Sequence, residues 1–439
     1  MSVLEKAQQL LEQYALCDNC LGRQFALLGH GLENKTRGET IKLLLTMKAH
    51  EMILANEESG FTLLRTLATN GAFHAASEIL RVQKRRTAKA RQCHLCEGIV
   101  KDAKKLADKV AKLLAEYEYS TFLIGVKLPV SVEEREDELK AKFDLIFSEN
   151  MRNEFSRTIG KAASILTGKE VEFRRPDMAV IINPFTSHVL LQVNSLHIAG
   201  RYKKLVRGIS QSRWFCRNCR GKGCERCNWT GKMYADSVEE FIATPTLELT
   251  KGEAAILHGA GREDVDARML GHGRPFVIEV KAPKKRFVDL KALEKTINER
   301  ASAKVEVRDM HFADKELVRR LKKGETSQKT YNVTVDFDRP VPDKELKKLE
   351  DTLRGLVVHQ QTPQRVLHRR ADRVREKYIY EAKVKRLAPN RVRLKVKCQG
   401  GLYVKELVTG DEGRTKPSMA EILDTRATPS ELDVLEVKE

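Results

Sequence analysis

The sequence predicts a mixed α/β chain of the α+β kind, with a large mixed sheet in its C-terminal part and an accessory N-terminal region. Two observations predict the class. From residue 120 onward, short β-branched and apolar runs alternate with charged segments of helical period. The 439 residues, 41% apolar against 32% charged, have the balance of a soluble chain long enough for two or three domains with cores of their own. A third observation bears on partners. The 80 Lys and Arg outnumber the 61 Asp and Glu for a formal charge of +19, a field that attracts polyanions such as nucleic acid.

Each element has a local reason. Leu4, Ala7, Leu11, Tyr14 and Ala15 fall at helical spacing, and this helix runs into "CDNCLGR". A mostly helical stretch follows, then the basic run "RVQKRRTAKAR" and the knuckle "CHLCEG". Ile99, Ala103, Leu106, Val110, Leu113 and Tyr117 mark a further amphipathic helix. "STFLIGVKLP" reads as a strand, 131–149 as a charged helix, and "MAVIINPFTSHVLLQV" as two strands joined at Asn183 and Pro184. After the Cys-rich "WFCRNCRGKGCERCNWTGK", strands are expected near 276–281, 330–337, 378–386, 390–398 and 402–408. Helices are expected near 289–300, 314–323 and 342–354. The implied domains are 1–118, 119–207, 208–235 and 236–439. No run of 18 apolar residues occurs, and Glu5, Gln8, Gln9 and Glu12 interrupt the N-terminus where a signal peptide needs an apolar core. The expectation is a cytoplasmic protein with no membrane partner.

Eight of the nine cysteines form four Cys-x-x-Cys pairs, which in a long chain of this kind points to metal rather than disulfides. Cys216, Cys219, Cys224 and Cys227 stand as C-x2-C-x4-C-x2-C among Gly221, Gly223 and Gly231, which supply tight turns. Four thiolates with no open position make a structural zinc site. Cys17 and Cys20 have Cys93 and Cys96 as the one unassigned pair, so a second site would clip the first helix to residues 90–96; a redox role is the alternative. One or two structural Zn²⁺ ions are expected. Cys398 reads as core.

Positive charge concentrates in three clusters: Arg81 to Arg91, Lys281 to Arg286, and Arg365, Arg369, Arg370, Arg373, Arg375 and Lys377. The last suits a ladder of phosphates, although a solvated face explains any one of them. "GAGRED" starts like a dinucleotide loop but has Asp264 where the third glycine belongs, and no G-x-x-x-x-G-K-[ST] occurs. Nicotinamide and ATP chemistry lose support, and no catalytic cofactor is expected.

Residues 261–276, "GREDVDARMLGHGRPF", then gain meaning together with "QQTPQRVLHRRADRVR" at 360–375 and "GGLYVKELVTGDEGRTKPS" at 400–418. In this order they resemble the THUMP-containing tRNA pseudouridine synthases of archaea and eukaryotes, the tenth family of such enzymes, which modify uridines 54 and 55 in the T-arm. The resemblance implies a C-terminal pseudouridine synthase fold, an isomerase activity, and tRNA as partner. It selects Asp264 as the catalytic aspartate of a G-R-x-D loop, with Arg262 beside it and Asp266 as the rival. Extended backbone would set Arg262, Asp264 and Asp266 on one face and Glu263 on the other. Tyr331 in "TYNVTVDF" resembles the tyrosine that stacks on the target base, though its phase with Val333, Val335 and Phe337 also fits a core residue at a sheet edge. Tyr403 and Lys405 are expected on one side of a strand, Lys405 resembling the basic partner of the catalytic aspartate. Arg369 joins the substrate-binding candidates, and the glycines of "GHGRPF" read as a turn that leaves Asp264 at a sheet edge. Residues 120–205, ending "SLHIAGRYKKL", look like a THUMP module that binds RNA.

The expected activity is therefore a cofactor-free isomerisation of a T-arm uridine by a monomeric enzyme. Two alternatives stand beside it. One is a non-catalytic, zinc-containing tRNA-binding protein; the other is a nuclease using Glu263, Asp264 and Asp266 as Mg²⁺ ligands.

Overall fold

The computed structural model describes residues 2–322 and 327–438, apart from the side chain of Arg369. They fall into two compact units, 1–194 and 195–439.

The first unit begins with helices α1 (Val3–Gln13), α2 (Asp18–Arg23), α3 (Asn34–Leu54), α4 (Ser59–Thr69), α5 (His74–Val82) and α6 (Ala103–Leu114). A capping box starts α1: the Ser2 hydroxyl accepts from the Glu5 amide while Glu5 accepts from the Ser2 amide. Helix α1 then buries Ala7, Leu10 and Leu11, the three- and four-residue spacing of one helical face. Next come β1 (Thr121–Val126), α7 (Val130–Phe143), α8 (Met151–Thr167), β2 (Glu170–Val171), β3 (Met178–Asn183) and β4 (His188–Val193). These strands form a sheet in the order β2-β1-β3-β4, parallel except for the β3–β4 hairpin at Asn183.

The expected division at 118 is not a packing boundary. Buried side chains from Ala7 to Ile182 form one hydrophobic core across the helices and the sheet. Arg23 of α2, fully buried, donates to Glu136 of α7 at 3.0 Å and to Glu154 of α8 at 2.9 Å, so two carboxylates compensate a charge that could not otherwise leave water.

The second unit contains β5 (Leu196–Lys204), α9 (Val238–Thr250), β6 (Ala254–Gly259), β7 (Ala267–Lys281), α10 (Leu290–Arg300), β8 (Val305–Ala313) and α11 (Lys315–Lys322). Residue 323, the last of the expected helix 314–323, lies outside the described residues. Then follow β9 (Gln328–Phe337), α12 (Asp343–Leu353), β10 (Val357–Gln361), β11 (Val374–Ala388), β12 (Arg391–Gln399), α13 (Val404–Thr409), β13 (Thr415–Lys416), α14 (Met419–Ile422) and β14 (Ala427–Lys438). Among the described residues, ten strands make one mixed sheet, ordered β13-β10-β11-β12-β9-β14-β7-β5-β8, with β6 paired to β7. Its pairs are antiparallel except β14 with β7. Strand β5 hydrogen-bonds to β7 and β8, so the expected module boundary at 207 gives way to one before residue 195.

Three further expectations change here. Residues 402–408 form no strand: Val404, Leu407 and Val408 are buried at helical spacing, and Gly410 ends α13 with a left-handed φ of 79°. The glycines of "GHGRPF" form no turn before a strand, since β7 runs through them. At Met269 strand β7 pairs with Val434 of β14 on one side and Lys204 of β5 on the other, and its ladder with β5 resumes at Arg274 opposite Tyr202, so residues 270–273 bulge out of that ladder. Gly271 and Gly273 lie in that bulge, where a Cβ would stand 2.0 Å from Leu435 O and 2.8 Å from Tyr202 O. Asp264 thus precedes an interior strand rather than a sheet edge. Tyr331 is likewise interior, because β9 is flanked by β12 and β14.

Candidate active site

The loop 260–266, between β6 and β7, is held from beneath by a buried polar network. The Glu263 carboxylate accepts from Arg274 Nε at 2.8 Å and from the Tyr202 hydroxyl at 2.9 Å. Gln211 Nε2 donates to the Tyr202 hydroxyl at 2.7 Å and to Gly261 O at 2.9 Å. Arg274 Nη1 donates to Ala260 O at 2.7 Å. Glu263 therefore points inward as the alternation implied, into a salt bridge rather than solvent. Burial, and then the Glu263 charge, raise the Tyr202 hydroxyl well above its ordinary range, so it stays a proton donor. Lys204 Nζ donates to the carbonyls of Ile209, Asp264 and Val265 at 2.9, 3.0 and 3.1 Å, fixing the loop backbone.

Above this floor the Asp264 carboxylate opens on a cleft of about 890 Å³. Arg365, in a 3-10 turn at Gln364–Arg369, brings Nη1 to 3.2 Å from Asp264 Oδ2, and Lys405 Nζ lies 3.5 Å from the same oxygen. Arg365 also donates through Nε to Glu406 at 2.6 Å. Burial works against its charge, but Glu406 and Asp264 outweigh it and hold the guanidinium above its ordinary range. Lys405 donates to both oxygens of Asp266 at 2.8 and 2.6 Å. Burial would raise the Asp266 carboxyl, yet the bond to Lys405 brings it below the usual carboxylate range.

Tyr331 reaches the cleft by register: on β9 it faces Val434 of β14, while Leu432 two residues earlier faces Ala267 at the start of β7. Burial raises its hydroxyl above the ordinary tyrosine range. Tyr403 caps α13, its amide donating to Gln360 Oε1 at 2.8 Å and its hydroxyl accepting from Arg370 at 3.2 Å. Arg262 lays its guanidinium 4.6 Å from the Trp214 ring centre, at the cleft wall. Asp264, Arg262, Tyr331, Tyr403 and Lys405 therefore line one cleft. The Arg369 side chain lies outside the described residues.

The Mg²⁺ reading of Glu263, Asp264 and Asp266 loses its basis, because Arg274 and Tyr202 take Glu263 away from the other two. Sequence reasoning missed Glu406 and the Tyr202–Gln211 pair. It placed Arg365 only in a phosphate-binding run, where a lone arginine gives no sign that it faces a carboxylate.

The eight paired cysteines form two clusters, Cys17/Cys20/Cys93/Cys96 and Cys216/Cys219/Cys224/Cys227, each with sulfurs within 4.8 Å of one another. Sulfurs at 2.3 Å from one tetrahedral zinc stand about 3.8 Å apart. The Cys17–Cys96 distance is 3.6 Å, and Cys216–Cys224 and Cys219–Cys227 are 3.9 and 3.8 Å, so both sets fit zinc. In the second, the amides of Gly223, Cys224 and Gly231 donate to ligand sulfurs at 3.2, 3.3 and 3.2 Å.

A carboxylate held by an arginine and a lysine in a cleft lined with further basic side chains, on a mixed sheet, fits the class of enzymes that act on a polyanionic substrate. The comparisons specify it. The family described as "Pus10, C-terminal" matches residues 197–438, and "Pus10 THUMP domain, archaeal" matches 106–183. The chain is 41% identical over 437 residues to tRNA pseudouridine synthase Pus10 of Methanothrix thermoacetophila, covering 99% of this chain and 94% of that protein. It is 42% identical over 440 residues to the protein of that name from Methanocaldococcus jannaschii, covering 98% and 93%. The chain belongs to the Pus10 family. It is an isomerase with a pseudouridine synthase fold and a THUMP domain. None of the described helices is long and apolar enough to cross a membrane.

Proposed function

We propose that this enzyme converts uridine 54, uridine 55 or both in the tRNA T-arm to pseudouridine, with Asp264 as the catalytic carboxylate and no cofactor. The observation that carries this reading is the Asp264 carboxylate, held by Arg365 and Lys405 in a cleft that also contains Tyr331. That relatives over nearly the full chain are named tRNA pseudouridine synthases supports tRNA as the substrate.

The reaction breaks the N1–C1′ bond, turns the uracil, joins C5 to C1′, gives N1 a proton and loses the C5 proton. Among the described residues lining the cleft, Asp264 is the carboxylate left to face the sugar and base, as nucleophile or base, since Glu263 is tied into the buried network. Arg365 and Lys405 fix its direction and balance its charge. Tyr331 stacks on the detached uracil and, as a neutral hydroxyl, can hydrogen-bond to it; Tyr403 and Arg262 close the walls, with Arg369 on the phosphates. The T-arm uridine must leave its stack, at a cost of a few kcal/mol, and the basic cleft wall offsets this by phosphate contacts. The two zinc sites stay structural in a monomeric cytoplasmic enzyme, and the THUMP module grips RNA by shape.

The test uses an unmodified tRNA transcript tritiated at uridine C5. Wild-type enzyme should release label from T-arm positions; no release from several tRNAs at low salt would overturn the reading.

A further inference from the structure

The ten-stranded sheet has an outward face on which basic side chains are stacked against each other. Along β12, Val392, Leu394, Val396 and Cys398 point into the core, and Arg393 and Lys395 point out, exposed. On β11, past a bulge between Ile379 and Glu381, Lys383 and Lys385 are exposed as well. The register sets Lys395 directly opposite Lys383, and Arg393 directly opposite Lys385. On the other side of β12, Lys395 faces Asn332 and Arg393 faces Thr334, neither of which carries charge. Two strand positions later the pattern is different: Lys397 faces Glu381 and bridges to it at 3.3 Å. Arg391 at the other end pairs with Asp336. Among the described residues, none of Lys383, Lys385, Arg393 and Lys395 has an ion pair.

Like charges directly opposite in an antiparallel pair are destabilising, and the flanking positions show that this face can carry matched pairs. Among the described residues, no ion pair offsets the two like-charged rungs, although Glu381 and Glu436 line the same shallow pocket as Lys383 and Lys395. The rungs also lie on the opposite face of the sheet from Tyr331, whose side chain shares the inward face with Val333 and Val335. The occupant that removes the cost is a polyanion. Lysine is depleted from protein–protein interface centres, which need apolar or aromatic anchors, and no such anchor stands between these four residues. Lysines as point charges on a rigid, regularly spaced frame suit a phosphodiester backbone.

We propose that Lys383, Lys385, Arg393 and Lys395 form a second RNA-contacting surface, separate from the cleft, which binds the tRNA backbone outside the T-arm. The proposal rests on the reading of the protein as a tRNA enzyme. Its test is the variant K383Q/K385Q/R393Q/K395Q in the full chain. Binding of a whole tRNA transcript and of an isolated T-arm hairpin is followed across a salt series, with single-turnover conversion of each. The variant should bind whole tRNA at least about tenfold more weakly, with a salt slope smaller by about 2 to 3, since each phosphate contact contributes just under one unit. It should bind and convert the hairpin as wild type does, and its melting temperature should not fall.

Unchanged tRNA affinity and salt slope would overturn the proposal, as would equal losses on hairpin and whole tRNA. So would an acidic peptide whose binding the variant loses while tRNA binding stays intact. If wild-type protein binds both RNAs but converts neither, the catalytic reading fails while the binding comparison still decides this one.

Discussion

One guanidinium joins the cleft to the core: Arg365 stands 3.2 Å from Asp264 through Nη1 and 2.6 Å from Glu406 through Nε. The Glu406 side chain is 5% exposed, so the anchor is rigid while Asp264 keeps an open side. Neither pairing could be read from the chain, since 101 residues separate Arg365 from Asp264.

With Asp264 as the proposed catalytic carboxylate, Glu406 acts as a positioning residue through Arg365. Glu406→Gln should lower single-turnover conversion about 10- to 100-fold, the scale of a misplacement near 1 Å, while tRNA affinity changes less than about twofold. A parallel loss of affinity and rate would assign Glu406 to folding alone.

Asp266 and Asp264 should separate cleanly. Asp266→Asn releases Lys405 to the remaining carboxylate, and conversion is expected to stay within about tenfold of wild type, measured by label release at saturating tRNA. A loss as deep as that of Asp264→Asn would move the catalytic role to Asp266.

The buried pair under the loop should be worth more to stability than to chemistry. Arg274 and Glu263 are 2% and 0% exposed, and breaking such a pair costs about 3 to 5 kcal/mol because the partner's charge is left buried. Arg274→Met should show that loss in urea unfolding of the second unit.

An acid-side test comes from Glu279. Burial would raise its carboxyl, but Lys281 at 2.5 Å and His258 at 2.9 Å hold it down to about 2. A depressed carboxyl contributes stability above its unfolded value, near 4.5, and loses it as pH falls toward 2. Glu279→Gln should flatten stability against pH across that window by about 2 to 3 kcal/mol relative to wild type. Parallel curves would show that the depression does not exist.

Purified protein should carry two zinc ions per chain by elemental analysis, one for each cluster of four cysteines. Chelation should melt the first unit, because Cys17 and Cys20 flank the start of α2, whose Arg23 ties into α7 and α8. Cys93→Ser should leave one zinc and reproduce the melting; two zincs retained in that variant would contradict the pairing.

What the sequence made legible followed from local pattern. Helices α1, α6 and α7 of the first unit, strands β1, β3 and β4, and the central strands β9, β11 and β12 have apolar periodicity that registers within a few residues, whereas helix α8 (Met151–Thr167) was not expected and the helix expected to reach 149 ends at Phe143. Both cysteine sets were legible too, the second from spacing and the first by assigning the leftover pairs. The loop around Asp264 was visible as motif, but its setting was not. Alternation over five residues in "GLYVK" mimics a strand, whereas Leu407, Val408 and Gly410 beyond it decide for a helix. Strand β5 packs with the second unit rather than with the 120–205 stretch it follows, because its pairing with β7 and β8 depends on residues 65 or more positions away. The glycines in β7 look like a turn until the bulge in its ladder with β5 is seen.

On the proposed reading Asp264 performs the chemistry. Its most direct test is Asp264→Asn, assayed for release of label from C5-tritiated tRNA at enzyme excess, with tRNA affinity measured alongside. Affinity should stay within about twofold of wild type, with no release above background. Release at the wild-type rate would contradict that reading.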